Sequence, residues 1–106
     1  MNLSPRLAAI ARMIPQGAAL ADIGSDHAYL PIYMIRKEAV ASAIASDISG
    51  HCIARARANA ERAGVEDRIS FRVADGLCGI RPDECDTIVI AGMGGETAAA
   101  ILAACP

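Results

Sequence analysis

Apolar positions along the chain alternate between helical spacing and short continuous runs. Leu7, Ile10 and Ile14 recur three or four positions apart, the spacing of a helix with one buried face. Ser4 followed by Pro5 supplies an N-cap with proline at the first helical position, and Pro15 and Gly17 stop this helix. Residues 18–23 are apolar except for Asp22 and predict a first buried strand. Residues from about 27 to 37 predict a short helix, with Pro31 tolerable only near its start. Val40 to Ser46 predicts a second buried strand that ends at Asp47. Ser49 can cap a helix running to Ala63, with Ile53, Ala56, Ala60 and Ala63 on one face and Gly64 as the C′ glycine. Ile69, Phe71 and Val73 alternate with Ser70 and Arg72, so a third strand is expected to have one wetter face. Thr87 to Ala91, almost wholly apolar, predicts a fourth strand suited to the interior of a parallel sheet. An alanine-rich helix is expected from near Glu96 toward the end.

Strands alternating with crossovers of this length imply the α/β class. The expected fold is a Rossmann-like parallel sheet of about four strands with helices on both faces. It forms a single domain over residues 1–106, with an N-terminal helix at about 4–14. The chain stops at Ala104-Cys105-Pro106, the end of a predicted helix. The interior-type fourth strand would then lie at a bare edge, which suggests a truncated protein or an edge covered by another chain through self-association.

With 54% hydrophobic and 21% charged residues, the chain can build a core and is not disordered. Much of that apolar content is alanine, so the core is thin. The aromatic residues are Tyr29, Tyr33 and Phe71. A net charge of −2 argues against a strongly basic nucleic-acid binder but not against a local basic face. No apolar run approaches the ~20 residues that span a bilayer, and the N-terminus lacks the pattern of a signal peptide. A cytoplasmic protein without membrane partners is therefore expected. Cys52, Cys78, Cys85 and Cys105 form no C-x-x-C pair and no zinc spacing, so buried reduced thiols and no metal site are expected.

The chemistry gathers at four strand ends. Ala21-Asp22-Ile23-Gly24-Ser25-Asp26-His27-Ala28 is a strand breaking into an acidic, glycine-containing turn. Gly24 lacks the further glycines of the G-x-G-x-x-G fingerprint, and Asp26 would repel a pyrophosphate. An acidic turn suits a ligand with positive charge, such as an ammonium or a sulfonium; otherwise Asp26 merely caps a helix. Asp47, 25 positions after Asp22, can accept the ribose hydroxyls of an adenosine moiety, or serve only at a helix start beside Ser49. Asp75-Gly76 could receive an adenine amine, or be only a turn. Gly92-Met93-Gly94-Gly95 leaves backbone groups accessible and gives a flat substrate room, or is only a tight turn. Arg6, Arg12, Arg36, Lys37, Arg55, Arg57 and Arg62 could contact RNA phosphates, although each taken singly reads as a solvated helix face.

The succession Asp22-x-Gly24, Asp47, Asp75-Gly76 and a loop after the fourth strand resembles the class I S-adenosylmethionine-dependent methyltransferases. Arg6-Leu7, Ile14-Pro15, ADIGSDHAYLP from Ala21 to Pro31, Asp75-Gly76-Leu77 and IAGMGG from Ile90 to Gly95 resemble, more closely, the TrmK family. Those enzymes methylate N1 of adenine twenty-two in tRNA. The family's proteins are longer, with further strands and a helical, coiled-coil-like domain. The resemblance implies S-adenosyl-L-methionine as cofactor and tRNA as partner. It implies that Asp22, Gly24, Ser25 and His27 border the methionine part, that Asp47 with Ile48 holds the ribose side, and that Asp75 and Gly76 face the adenine. Gly92 and Met93 would occupy the place where related base methyltransferases carry an Asn-Pro-Pro-Tyr-like loop, a side-chain set absent here. Asp26 is the catalytic candidate. Two rival readings are an S-adenosylmethionine-binding but inactive fragment or interaction module, and an NAD-dependent oxidoreductase domain; the absent fingerprint glycines and Asp26 count against the second.

Overall fold

A computed structural model describes residues 3–90 and the backbone of residues 100–103. The first helix, α1 (Pro5–Met13), starts where the Ser4 hydroxyl accepts from the Leu7 N–H at 3.2 Å, with Pro5 in the first turn. Its buried Ile10, together with Ile14 just beyond it, ties the helix to the core. The helices α2 (Tyr29–Arg36) and α3 (Gly50–Ala63) follow the strands β1 (Leu20–Ile23) and β2 (Ala43–Asp47). The Ser49 hydroxyl caps α3 by accepting from Cys52 N–H at 3.3 Å, and Gly64 closes it in the left-handed region at φ 74°. The face expected of α3 is the one it buries, through Ile53, Ala56 and Ala60.

Strands β1, β2, β3 (Ile69–Val73) and β4 (Thr87–Ile90) pair in parallel. With β5 (Ala100–Ala103) the sheet order is β3-β2-β1-β4-β5. The chain therefore steps outward in one direction from β1 through β3, then crosses to the other side of β1 for β4. Such a reversal opens a crevice at the carboxyl ends of the two central strands. All four residues of β1 are buried, as its central place demands. β3 is an outer strand, and its Val73 is exposed.

One expectation is overturned at the end of the chain. Residues 100–103 form not a helix but a strand, paired antiparallel to β4, with Ile90 opposite Ala100 and Thr87 opposite Ala103. Antiparallel pairing satisfies the N–H and C=O groups that an apolar strand would otherwise leave at an open edge. That edge of β4 is thus covered from within the chain. The remainder of the predicted helix, with Ala91 and Gly92 to Gly95, lies outside the described residues.

Alternation along the strands divides the core in two. Residues of all three helices pack with Leu20, Ala43, Ala45, Ile69 and Val89. The opposite face carries Ala21, Ile23, Ile44 and Ile88 with Cys85 and Ile80 from the segment between β3 and β4. That segment contains short 3₁₀ turns at Gly76–Gly79 and Pro82–Glu84. It is held by a fork in which Arg72 Nη1 and Nη2 donate to Glu84 Oε1 and Oε2 at 2.8 and 2.5 Å. Hydrogen bonds from Arg72 and from the Arg81 N–H pull the Glu84 carboxyl down to about 2. The expectation of buried thiols holds for Cys85 only: Cys52 is half-buried and Cys78 exposed, because Cys52 faces a cavity and Cys78 sits on a surface turn. Cys105 lies outside the described residues.

Candidate active site at the carboxyl ends of the strands

Immediately after β1 the chain turns sharply. Gly24, at φ 73°, takes a conformation that side chains disfavour. Its N–H and that of Ser25 both donate to the Ser46 carbonyl at the end of β2, at 2.8 and 3.0 Å. Asp26 and Ala28 also have positive φ, 56° and 61°. Two non-glycine residues in the left-handed region within three positions mark a backbone held by its surroundings. The surroundings are visible: the Asp26 N–H donates to Asp47 Oδ2 at 3.1 Å, and Asn59 Nδ2 donates to the His27 carbonyl at 2.9 Å. α2 then begins at Ala28 with no side-chain cap, so Asp26 is not a helix-capping residue.

Asp47 ties two loops together. One carboxylate oxygen accepts from Asp26 N–H and the other from Ser49 N–H at 3.0 Å. Asp22 lies one strand away on the same sheet face, buried to 4% exposure, and its Oδ2 accepts from the Ser25 hydroxyl at 2.9 Å. Burial raises its pKa to about 7; the Ser25 hydrogen bond opposes the rise and the neighbouring Asp47 adds to it. Asp26 differs, being half exposed and ion-paired with Arg55 at 3.0 Å, while His27 Nε2 stands 3.6 Å from its other oxygen. Partial burial raises its pKa, but hydrogen bonds from Cys52 and Arg55 and the charges of His27 and Arg55 outweigh it, leaving the carboxyl below its ordinary value. The His27 and Tyr29 rings stack with centroids 4.8 Å apart and planes 7° from parallel.

These groups line one cavity of about 610 Å³, within the range of small-molecule sites. Its walls bring together Asp22, Gly24, Ser25, Asp26, His27, Asp47 and Ile48, all singled out from the sequence. A second cavity, of about 560 Å³, lies at the opposite rim, where Ala19, Ser42 and Arg68 lead into the strands.

Residues 3–106 match the family of methyltransferase domains. The chain belongs to that family. It is 46% identical over 104 residues to the tRNA (adenine(22)-N(1))-methyltransferase of Bacillus subtilis (strain 168), covering 98% of this chain and 44% of the relative. The crystal structure of the B. subtilis m1A22 tRNA methyltransferase TrmK superposes with a TM-score of 0.83 at 47% identity, over 89% of this chain and 40% of that one. M. capricolum TrmK, solved in complex with the cofactor product S-adenosyl-homocysteine, gives a TM-score of 0.79 at 36% identity, over 85% and 41%. The chain thus spans less than half the length of these relatives. The resemblance to the TrmK family and the Rossmann-like fold expected from the sequence are both borne out.

Not every candidate in this methyltransferase domain falls in the cavity. Asp75 and Gly76 are exposed at the end of β3, on the same rim but outside its walls. Gly92 and Met93 lie outside the described residues. Conversely, Ser4, Leu7 and Cys52 line the cavity without having been singled out for it. Arg6, read from the sequence as a possible RNA contact, lines it too. The signal for Ser4, Arg6 and Leu7 was present in the cap that starts α1, but nothing in the local sequence says that the start of this helix lines the crevice.

Proposed function

We propose that this chain carries the S-adenosyl-L-methionine site of a methyltransferase acting on N1 of an adenine in tRNA. The observation that carries the reading is the acidic cavity at the point where the strand order reverses, with Asp22, Asp26 and Asp47 converging around the Gly24 turn. The relatives named above, characterised by that reaction and by a complex with the demethylated cofactor, support it.

The residues suit the cofactor. Each carboxylate oxygen of Asp47 accepts one backbone N–H and retains a lone pair for a ribose hydroxyl. Exposed Ile48 offers an apolar surface beside it. Asp22, Gly24, Ser25 and His27 border the methionine end, where a buried carboxyl favours a cationic neighbour. Asp75 and Gly76, on the same rim, remain candidates for the adenine, and Gly92 and Met93 for the substrate side. Bound here, S-adenosylmethionine supplies an electrophilic methyl group on a sulfonium.

Asp26, half exposed in the cavity wall, is assigned to the substrate in this reading. Adenine N1 has a free lone pair in the neutral base, so attack needs no prior deprotonation. What it needs is alignment, and a negative group near the positive charge that grows on the ring. A carboxylate whose pKa is held low by Arg55 and Cys52 stays ionised and supplies that charge. It can also accept a hydrogen bond from the N6 amine. The target base leaves its stack to reach such a pocket.

Incubating this chain with a tRNA transcript and methyl-labelled cofactor tests the reading. The expected product is 1-methyladenosine in the RNA. Tight cofactor binding with no label transferred would favour the interaction-module alternative instead.

A further inference from the structure

We infer that Asn59 is a positioning residue for methyl transfer, holding from outside the cavity the backbone that carries Asp26, which deepens the reading above and rests on it. The loop needs such a hold. Asp26 and Ala28 both stand in the left-handed region, at φ 56° and 61°, where residues other than glycine sit at a cost in free energy. Between them, the His27 carbonyl falls outside the ladder of α2. The first helical bond ends on the next carbonyl, that of Ala28, which accepts from Ile32 N–H at 3.1 Å. The His27 carbonyl accepts instead from Asn59 Nδ2, 32 positions further along the chain, at 2.9 Å.

Asn59 lies on the edge of α3 that meets this loop. Arg55, Asn59 and Arg62 follow one another at four and three positions, which puts them on one side of the helix. Arg55 pairs with the Asp26 carboxylate at 3.0 Å, but that contact is half exposed, holds a side chain only and is screened by solvent. Arg62 Nη2 donates to Asn59 Oδ1. This bond fixes the amide with its nitrogen toward the His27 carbonyl. Asp47 grips the same loop through Asp26 N–H, but in the reading above it also serves the ribose. Asn59 is half-buried and is not part of the cavity wall, so its hold is independent of ligand. Pinned at the Asp26 N–H and at the His27 carbonyl, the loop keeps the Asp26 carboxylate in place with no reorganisation during the reaction. That is the condition under which a fixed charge is worth most to a transition state. The same backbone sets the His27 ring flat against Tyr29, and this stack reports where the loop stands.

Asn59→Asp keeps the shape of the side chain and its contact with Arg62, but replaces the donor by an acceptor and leaves the His27 carbonyl unpaired. Asn59→Gln keeps an amide donor on a longer stem. In proton NMR of the native chain, stacking on Tyr29 displaces the His27 imidazole signals upfield, with exposed His51, the other histidine, as internal reference. Asn59→Asp is expected to return them toward the His51 positions, and Asn59→Gln to keep part of the displacement. Single-turnover methyl transfer to a tRNA transcript is expected to fall about tenfold in Asn59→Asp, the worth of one such hydrogen bond, with affinity for S-adenosylhomocysteine within a few-fold. In an Asp26→Ala background the same substitution is expected to cost no further transfer, because Asn59 acts through Asp26. Unmoved imidazole signals in Asn59→Asp overturn the inference. So do losses that multiply in the double variant, and so does a loss of cofactor affinity as large as the loss of rate. Arg62→Met, a change at an exposed position, frees the amide to turn and is expected to move the signals the same way by less; it decides the matter if Asn59→Asp does not fold. If the native chain transfers no methyl group, the functional reading fails and the role in methyl transfer with it, a result that the imidazole signals distinguish from failure of the Asn59 contact.

Discussion

Asp22→Asn separates the stability of the fold from the needs of the site. In the folded chain the Asp22 carboxyl is buried and its pKa rises from 3.8 to about 7. Below pH ~4 the group is protonated in both folded and unfolded chains and adds no penalty. Between pH ~4 and 7 the folded chain holds a proton that the unfolded chain has released, so stability falls as pH rises through this window. Above the folded-state value the full penalty is present. At ~1.4 kcal/mol per pKa unit it amounts to about 4 kcal/mol. Asparagine cannot ionise, so it removes the penalty; its amide hydrogens need new partners in a buried place, which returns about 1–2 kcal/mol. The variant is therefore expected to be more stable than its parent by about 2–3 kcal/mol at pH 8, and no more stable at pH 4.5. Urea unfolding followed by far-UV circular dichroism at several pH values measures the difference. Asp26 and Glu84, whose pKa values are lowered, contribute in the opposite sense, losing stability as pH falls. They are present in both proteins and cancel in the comparison. A difference between variant and parent that stays constant from pH 4.5 to 8 would refute the reasoning. The same substitution should weaken binding of the sulfonium cofactor more than that of its neutral demethylated product, since the lost charge acts on the cation.

Asp26→Ala should lower single-turnover methyl transfer by on the order of a hundredfold while leaving affinity for S-adenosylhomocysteine within a few-fold. It is the backbone N–H of this residue, not its side chain, that holds Asp47; a collapse of cofactor affinity would count against the assignment. Ser49→Ala removes the hydroxyl that caps α3 and is expected to destabilise the chain by about 1 kcal/mol, read from urea midpoints. Gly64→Ala forces a side chain into the left-handed region at the end of the same helix, with an expected cost of about 1 kcal/mol.

Much of the architecture was legible because its causes are local. α3 could be read from cap to C′ glycine, since Ser49 and Gly64 act on their own neighbours and the Ile53–Ala56–Ala60 face repeats at helical spacing. β1, β2 and β4 stood out as continuous apolar runs because parallel central strands are buried on both faces. The end of the chain was misread for the complementary reason. Ala100–Ala103 has the composition of a helix, but its conformation is set by the open hydrogen-bonding groups of β4, a partner distant in sequence. The site divides in the same way. Asp22, Gly24 and Asp26 belong to one turn and could be found together. The bond from Asp26 N–H to Asp47 spans 21 positions and that from Arg55 to Asp26 spans 29, and no local pattern encodes either. The alternatives of a helix cap for Asp26 and a helix-start role for Asp47 needed coordinates to separate. Asp26 caps nothing, whereas Asp47 accepts from Ser49 N–H and from the β1–α2 loop as well.

The central claim is that the carboxylates at the rim of this sheet receive a positively charged sulfur nucleoside and not a dinucleotide. Calorimetric titration of the native chain with S-adenosylmethionine, S-adenosylhomocysteine and NAD tests it most directly. Saturable one-to-one uptake of the two sulfur nucleosides, with no heat from NAD, is the predicted result. Silence from both sulfur compounds, or uptake of NAD in their place, would contradict it.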